Sequence, residues 1–119
     1  MTRVLIVDDH DSYRATARRL LESEGFEVVG ESPDGETAVA DAERLHPAVV
    51  LLDVQLPDID GFEVARRLAA LDDPPVVVLC SSREAVDYGS KVKAAAVSGF
   101  ISKAELSGAR LAKVVASDF

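Results

Sequence analysis

Acidic side chains stand directly after two separate apolar stretches of the chain, where they could share one ligand. Asp8 and Asp9 follow the run Val4–Val7. Asp53 follows the run Val49–Leu52. If these runs are neighbouring strands, about 4.8 Å apart, the three carboxylates converge, and their charges repel unless a cation joins them. Oxygen ligands with room for water suit Mg²⁺ better than Zn²⁺. The pattern predicts a Mg²⁺ site in which one of the paired acids binds directly and the other through water.

A hydroxyl group and an ammonium group are predicted at the same edge of the sheet. Ser81 or Ser82 ends the run Val76–Cys80, and Lys103 follows the run Gly99–Ile101. A carboxylate can accept a phosphoryl group as an acyl phosphate, and catalysis of that transfer is mostly positioning and electrostatic stabilisation. The lysine would neutralise charge on the phosphoryl group, and the serine would donate to one of its oxygens. Together these side chains predict phosphoryl transfer to an aspartate.

Each of these residues has a simpler explanation when it is taken alone. Acidic residues are common near helix N-termini, where the helix dipole stabilises them. A lysine after a strand is usually solvated, and a serine there can cap a helix. The joint placement at one edge of the sheet is what favours a site.

The elements that must position these residues alternate along the chain, strand then helix, five times over. The apolar runs are short and rich in Val and Ile, which indicates buried strands. They are Val4–Val7, Phe26–Gly30, Val49–Leu52, Val76–Cys80 and Gly99–Ile101. Between and after them lie apolar stripes at helical spacing, formed by Tyr13, Ala17, Leu20 and Leu21; by Ala38, Val39, Ala42 and Leu45; by Phe62, Ala65, Leu68 and Ala69; by Val86, Val92, Ala96 and Val97; and by Leu111, Val114 and Val115.

The predicted helix ends follow from local residue types. Asp11 or Ser12 is expected to cap the first helix, and Gly25 is expected to stop it. Pro74 and Pro75 close the third helix. Gly89 weakens the fourth.

This alternation favours an α/β fold with helices on both faces of a parallel sheet. Right-handed crossovers leave few arrangements, and we predict a flavodoxin-like, doubly wound, five-stranded sheet of order 2-1-3-4-5. In that order the first and third strands are neighbours. The chain reverses direction between them, which opens a ligand-binding crevice at their carboxyl ends.

Length and composition limit the class of protein. A chain of 119 residues that is 48% hydrophobic fits one domain with a packed core. A net charge of −8 disfavours nonspecific binding to nucleic acid or an anionic membrane. The single cysteine, Cys80, excludes an internal disulfide, and no Cys/His cluster has zinc-ligand spacing. No signal peptide or membrane-spanning run is visible, so we expect a cytoplasmic domain over residues 1–119.

Three segments resemble the motifs of response regulator receiver domains, which act in two-component signalling. They are VLIVDD at Val4–Asp9, LLDVQLPDIDG at Leu51–Gly61 and GFISK at Gly99–Lys103. The combined motifs are highly specific, and the similarity covers nearly the whole chain. The segment Phe26–Val39 also resembles receivers that are joined to helix-turn-helix output domains. The resemblance implies the (βα)5 receiver fold.

The resemblance also implies a role for each matched residue at the crevice. Asp53 would be the phosphoacceptor. Mg²⁺ would be bound by Asp8, Asp9 and Asp53, together with the backbone carbonyl of Gln55. Lys103 would contact the phosphoryl group.

Two further matched positions would form the switch. Ser81, rather than Ser82, would take the Ser/Thr position, because its spacing to Phe100 is the one usual in the family. Phe100 would be the aromatic switch residue, without the hydroxyl of the more common tyrosine. Ala104 stands where many receivers have a proline. A cis bond before alanine costs about 2.5–4 kcal/mol, so we expect a trans Lys103–Ala104 bond.

The function implied is a signalling switch that a sensor histidine kinase or phosphotransfer protein phosphorylates on Asp53 in a Mg²⁺-dependent reaction. Phosphorylation would remodel the face formed by the fourth helix, fifth strand and fifth helix. The domain would not be an enzyme in the ordinary sense, although it shares in catalysing its own phosphorylation and dephosphorylation. Neither nucleic acid nor membrane is an expected partner, and a homodimer stays open.

Three other functions fit part of the pattern. A binding module with the receiver fold need not be phosphorylated in the cell, but the intact acids and Lys103 argue against it. A Mg²⁺-dependent phosphatase or hydrolase would need a further acid, base or substrate clamp, and none is apparent. A nucleotide-binding fold is disfavoured because no GxGxxG or P-loop follows the first strand.

Overall fold

The computed structural model describes residues 1–83, 85–95 and 97–116, which form a parallel sheet with helices on both faces. The strands are β1 (Arg3–Val7), β2 (Glu27–Ser32), β3 (Val49–Leu52), β4 (Val76–Ser81) and β5 (Gly99–Ser102). The helices are α1 (Asp11–Ser23), α2 (Gly35–Leu45), α3 (Gly61–Ala69), α4 (Ser90–Ala94) and α5 (Gly108–Ala116), with 3₁₀ turns at Ala85–Tyr88 and Lys103–Glu105.

The strand order is β2-β1-β3-β4-β5, with all pairs parallel, which confirms the predicted topology. In the β1–β3 pair Val7 stands opposite Leu52, so the next residues, Asp8 and Asp53, leave the sheet side by side. The Asp53 N–H donates to the Val7 carbonyl at 2.9 Å, and the Asp8 N–H donates to the Ser32 carbonyl at 3.0 Å. The backbone of both aspartates is therefore still held by the sheet.

Alternate residues of the strands fill two separate cores. Val4 and Ile6 of β1 face a core that includes Leu21 of α1 and Leu111 of α5. Leu5 and Val7 face the opposite core, where α2 and α3 pack. Every residue of β3 and β4 is buried, as expected for central parallel strands, which are covered on both faces.

The predicted fourth helix is shorter than its stripe and is interrupted. The chain forms the 3₁₀ turn Ala85–Tyr88 and then α4, a helix of five residues. Between them Gly89 has a φ of +58°, a backbone conformation that favours glycine. Ala96 and the side chain of Val86, which belong to the predicted stripe, lie outside the described residues.

The start of α1 also differs from the prediction, and other local predictions are confirmed. The N-cap is His10, whose side chain makes no capping bond, so neither Asp11 nor Ser12 caps the helix. Gly25 follows the end of α1 with a φ of +93°, the expected stop. The Lys103–Ala104 peptide bond is trans. Within the described ranges, no helix combines the length and apolarity needed to cross a bilayer.

Candidate functional site

The carboxylates of Asp8, Asp9 and Asp53 meet at the carboxyl ends of β1 and β3. One ligand atom from each of them and from His10 can be chosen so that all four lie within 4.8 Å of one another. Asp8 is 1% exposed and Asp53 is 4% exposed, whereas Asp9 lies on the surface. Two of the three acids are thus withdrawn from water, and the third faces the solvent.

Lys103 is the cation that lies between the two buried acids. It follows β5, and its Nζ atom lies 2.5 Å from Asp8 Oδ2 and 3.4 Å from Asp53 Oδ2. The same Nζ atom stands 4.4 Å from the centre of the Tyr13 ring, a cation–π contact. Burial alone would lower the pKa of Lys103, but the hydrogen bond to Asp8 and the charges of both carboxylates raise it. The lysine therefore stays protonated.

The charge of Asp53 is less well compensated. Burial disfavours its ionised form and Asp8 repels it, so the pKa of Asp53 is raised above its ordinary value. Lys103 and the backbone N–H of Gln55, which donates to Asp53 Oδ1 at 3.4 Å, act in the opposite direction without cancelling the shift. The buried carboxylate of Asp53 therefore carries a charge that its neighbours compensate only in part.

His10 is in contact with both acids of the pair that precedes it. Its Nδ1 atom is 3.0 Å from Asp8 Oδ1 and 3.1 Å from Asp9 Oδ1. Its backbone N–H also donates to Asp8 Oδ1 at 2.8 Å. The sequence reasoning left His10 out of the site, although its position directly after the acidic pair was the available signal.

The cluster could hold a divalent cation. Asp8, Asp9 and Asp53 offer carboxylate oxygens, which are the ligands that Mg²⁺ prefers. The three carboxylates carry more negative charge than Lys103 can neutralise. Both the donor atoms and the charge balance therefore fit a hard divalent cation.

The loop after Asp53 approaches the backbone so closely that only glycine fits at its end. A Cβ atom on Gly61 would stand 2.4 Å from the carbonyl oxygen of Asp53 and 2.8 Å from the Cα of Val54. The Gly61 N–H donates to the Val54 carbonyl at 2.7 Å. Asp60 caps α3 by accepting from the Glu63 N–H at 2.9 Å. These contacts fix the path of the chain between Asp53 and α3.

The same loop is also attached to α2. Asp58 accepts the backbone N–H groups of Gly35 and Glu36, each at 2.8 Å, while Asp34 accepts that of Thr37 at 2.8 Å. Although desolvation acts in the opposite direction, these backbone donors lower the pKa of Asp58 to about 2. The N-terminus of α2 is therefore satisfied partly by a residue from the loop that follows Asp53.

Ser81 ends β4 and is 1% exposed, whereas Ser82 is exposed. The Ser81 Oγ atom lies 2.8 Å from the hydroxyl of Tyr88 and accepts the Arg83 N–H at 3.2 Å. Phe100 is half-buried on β5, and its ring centre lies 6.0 Å from that of Tyr88. The sequence reasoning missed Tyr88, because it lies in the stretch where the helical pattern is weakest.

Cys80 belongs to the core beneath the site, as the sequence indicated. Its Sγ atom lies 3.3 Å from the Tyr13 hydroxyl. Burial raises the pKa of the Cys80 thiol to about 11. The thiol therefore stays protonated and unreactive at neutral pH.

The chain is similar to known proteins along almost its whole length. The family model described as the response regulator receiver domain matches residues 4–116. The response regulator GacA of Pseudomonas viridiflava is 37% identical over 116 residues, which cover 97% of this chain and 52% of the relative. A protein-glutamate methylesterase/protein-glutamine glutaminase of Anaeromyxobacter dehalogenans is 41% identical over 107 residues, which cover 89% of this chain and 30% of that protein.

A solved structure shares the fold over almost the whole length of the chain. It is the signal receiver domain of a modulated diguanylate cyclase from Desulfovibrio desulfuricans G20. The two chains superimpose with a TM-score of 0.84 at 32% sequence identity, over 98% of this chain and 92% of the other.

The chain spans about half of GacA and less than a third of the methylesterase, so these relatives contain further segments that the match does not cover. The match itself extends from the first residues of β1 to the end of α5. On this evidence the chain belongs to the response regulator receiver domain family.

Proposed function

We propose that this domain is a switch of two-component signalling that accepts a phosphoryl group on Asp53. The observation that carries the proposal is the unequal engagement of the two buried carboxylates. Asp8 accepts the backbone N–H of His10 at 2.8 Å and pairs with Lys103 at 2.5 Å. Asp53 has only longer contacts of 3.4 Å, to Lys103 and to the Gln55 N–H, among those the described residues make with its side chain. Asp53 is therefore the less firmly held of the two buried carboxylates, and the one we propose as the nucleophile.

The residues proposed to hold Mg²⁺ are Asp8, Asp9, Asp53 and the backbone carbonyl of Gln55. When bound, the cation would neutralise the carboxylates and the oxygens of the incoming phosphoryl group. The excess negative charge of the cluster and the raised pKa of Asp53 support this assignment.

The phosphoryl donor is proposed to be a phosphohistidine of a sensor histidine kinase or phosphotransfer protein. A carboxylate oxygen of Asp53 forms the new bond to phosphorus as the bond between phosphorus and the histidine nitrogen breaks. The Lys103 ammonium, already 3.4 Å from Asp53 Oδ2, would stabilise the charge on the transferred group. Ser81 would donate its hydroxyl to a phosphoryl oxygen.

The acyl phosphate would then change the surface of the domain. Ser81 and Phe100 are the proposed switch residues, and the proposed output surface is formed by α4, β5 and α5. The domain would exchange between an inactive and an active arrangement of this surface. Phosphorylation shifts that equilibrium only by the free energy with which it stabilises the active arrangement over the inactive one.

Receiver domains occur in proteins with different activities, so this domain alone does not identify the activity of a longer protein that contains it. The names of its relatives include a response regulator, a methylesterase and a diguanylate cyclase. For residues 1–119 we propose a single cytoplasmic receiver that binds neither nucleic acid nor membrane directly, and that can form a homodimer.

The test is intact-mass spectrometry after incubation with acetyl phosphate and Mg²⁺. The wild-type chain is expected to gain one phosphoryl group, and Asp53→Asn is expected to gain none. Asp72→Asn, an exposed acid after α3, is the matched control and should behave as wild type. Uptake by Asp53→Asn would overturn the assignment of the phosphoacceptor. A wild-type chain that gains nothing would favour an unphosphorylated binding module instead.

A further inference from the structure

The hydroxyl of Ser81 is already engaged by an aromatic residue outside the acidic cluster. Its Oγ atom lies 2.8 Å from the hydroxyl oxygen of Tyr88. Tyr88 is the last residue of the 3₁₀ turn Ala85–Tyr88, seven positions along the chain from Ser81. A contact over this distance is set by the folded arrangement of the turn against the end of β4.

The Tyr88 ring is held by two other aromatic rings. Its centre lies 5.7 Å from that of Phe62 in an edge-on arrangement, and 6.0 Å from that of Phe100 in a tilted one. Phe62 belongs to α3 and Phe100 to β5, so the tyrosine is packed between two elements of the same core. Phe100 has no hydroxyl, and Tyr88 supplies the phenol group that reaches Ser81.

Hydrogen-bond counting shows what this contact implies. A serine hydroxyl has one donor and two acceptor sites. The Arg83 N–H donates to Ser81 Oγ at 3.2 Å and uses one acceptor site. Because Ser81 is 1% exposed, its own proton needs an acceptor in the protein, and the Tyr88 oxygen is within hydrogen-bond distance. Either hydroxyl can be the donor in this contact; where Ser81 is the donor, it must give up the bond before it can donate to a phosphoryl group.

We propose that Tyr88 is a positioning residue for Ser81, and that phosphorylation of Asp53 breaks the Ser81–Tyr88 hydrogen bond and releases the tyrosine. This inference rests on the proposed function. Gly89 follows directly, with a φ of +58° and open space around it, and α4 begins at the next residue. A movement of Tyr88 would therefore displace the backbone that leads into α4. Phe100 has no hydroxyl, and in this proposal Tyr88 provides the aromatic hydroxyl that bonds to Ser81.

Fluorine NMR can follow Tyr88 directly, since the chain contains only two tyrosines. The full chain is labelled with 3-fluorotyrosine, and Tyr88→Phe assigns the two resonances. Acetyl phosphate and Mg²⁺ are then added while intact-mass spectrometry follows phosphorylation. We expect the Tyr88 resonance to move in the wild type and in Ser82→Ala. In Ser81→Ala it should already be displaced before phosphorylation and should respond little.

A rate measurement supplies the second test. Tyr88→Phe removes the hydroxyl that is hydrogen-bonded to Ser81 and so disfavours the unphosphorylated arrangement. From the usual strength of one hydrogen bond, phosphoryl uptake should become about threefold to tenfold faster. Ser82→Ala should keep the wild-type rate.

The outcomes separate this inference from the proposed function. If the wild type gains a phosphoryl group while the Tyr88 resonance stays in place, the role of Tyr88 is wrong and the switch stands. An unchanged or slower rate in Tyr88→Phe contradicts it equally. If the wild type gains no phosphoryl group, the proposed function is wrong, and this inference fails with it.

Discussion

The Nζ atom of Lys103 lies 2.5 Å from Asp8 Oδ2, although Asp8 follows β1 and Lys103 follows β5, two strands that β3 and β4 separate in the sheet. Asp8 is almost completely buried, and its side chain depends on this contact for compensation of its charge. The lysine proposed to contact the phosphoryl group is therefore also part of what holds the unphosphorylated site together.

Lys103→Met should lower both stability and phosphoryl uptake. Removing one partner of a buried ion pair costs about 3–5 kcal/mol, and we expect about 2 kcal/mol here because the lysine keeps some contact with water. Urea unfolding in EDTA measures the loss. Lys113→Met on the exposed side of α5 is the control. Unchanged stability and unchanged uptake together would show that Lys103 has neither role.

Asp53→Asn should stabilise the metal-free domain. A carboxylate with a raised pKa binds its proton more tightly when folded, so the domain loses stability as pH rises from the ordinary value of 3.8 through the raised pKa of Asp53. The ionised carboxylate destabilises the fold, and the neutral amide of asparagine removes this penalty. The melting temperature in EDTA should rise.

The same series tests the cation. Mg²⁺ should raise the melting temperature of the wild type, because a ligand that binds only the folded state stabilises it. Asp53→Asn and Asp9→Asn should respond less, and Asp72→Asn should respond as wild type. Equal responses in all four proteins would contradict the proposed metal ligands.

Gly61→Ala should distort the loop beside the phosphoacceptor. The added Cβ atom would stand 2.4 Å from the Asp53 carbonyl oxygen, which belongs to backbone and cannot rotate away. Overpacking of this kind costs about 1–3 kcal/mol. We expect that loss in urea unfolding, together with slower uptake from acetyl phosphate. A variant with wild-type stability would show that the loop has more freedom than this contact allows.

Asp58→Ala should weaken the attachment of the loop to α2 and change stability in acid. The pKa of Asp58 is lowered to about 2, so its contribution is complete above the ordinary value of 3.8 and is lost as pH falls towards 2. At pH 7 the loss should be about 1 kcal/mol, as for other residues that cap helices. Wild type and variant should converge near pH 2. A difference that persists there would point to packing instead of charge.

The sequence predicted the sheet better than the surface segments, for a physical reason. Strand β3 was predicted to the residue, since central parallel strands are apolar on both faces and end where the acids begin. The convergence of Asp8 with Asp53 followed from strand order alone. The 3₁₀ turn before Gly89, the contacts of His10 with the acidic pair and the contact between Tyr88 and Ser81 did not follow. Each depends on the conformation that a polar side chain or a short turn adopts in the folded protein. The spacing of apolar residues along the sequence carries no information about these conformations.

The hydrogen bond from the Asp53 N–H to the Val7 carbonyl ties the backbone of the proposed nucleophile to β1, the neighbour of the central strand β3. Its main chain cannot move without breaking hydrogen bonds between β1 and β3. Interior strands of this kind separate only when the domain unfolds globally. The amide proton of Asp53 should thus exchange with solvent only as often as the entire molecule unfolds. The backbone of the reacting residue therefore keeps its position during smaller motions, including those of the turn and helix that follow β4.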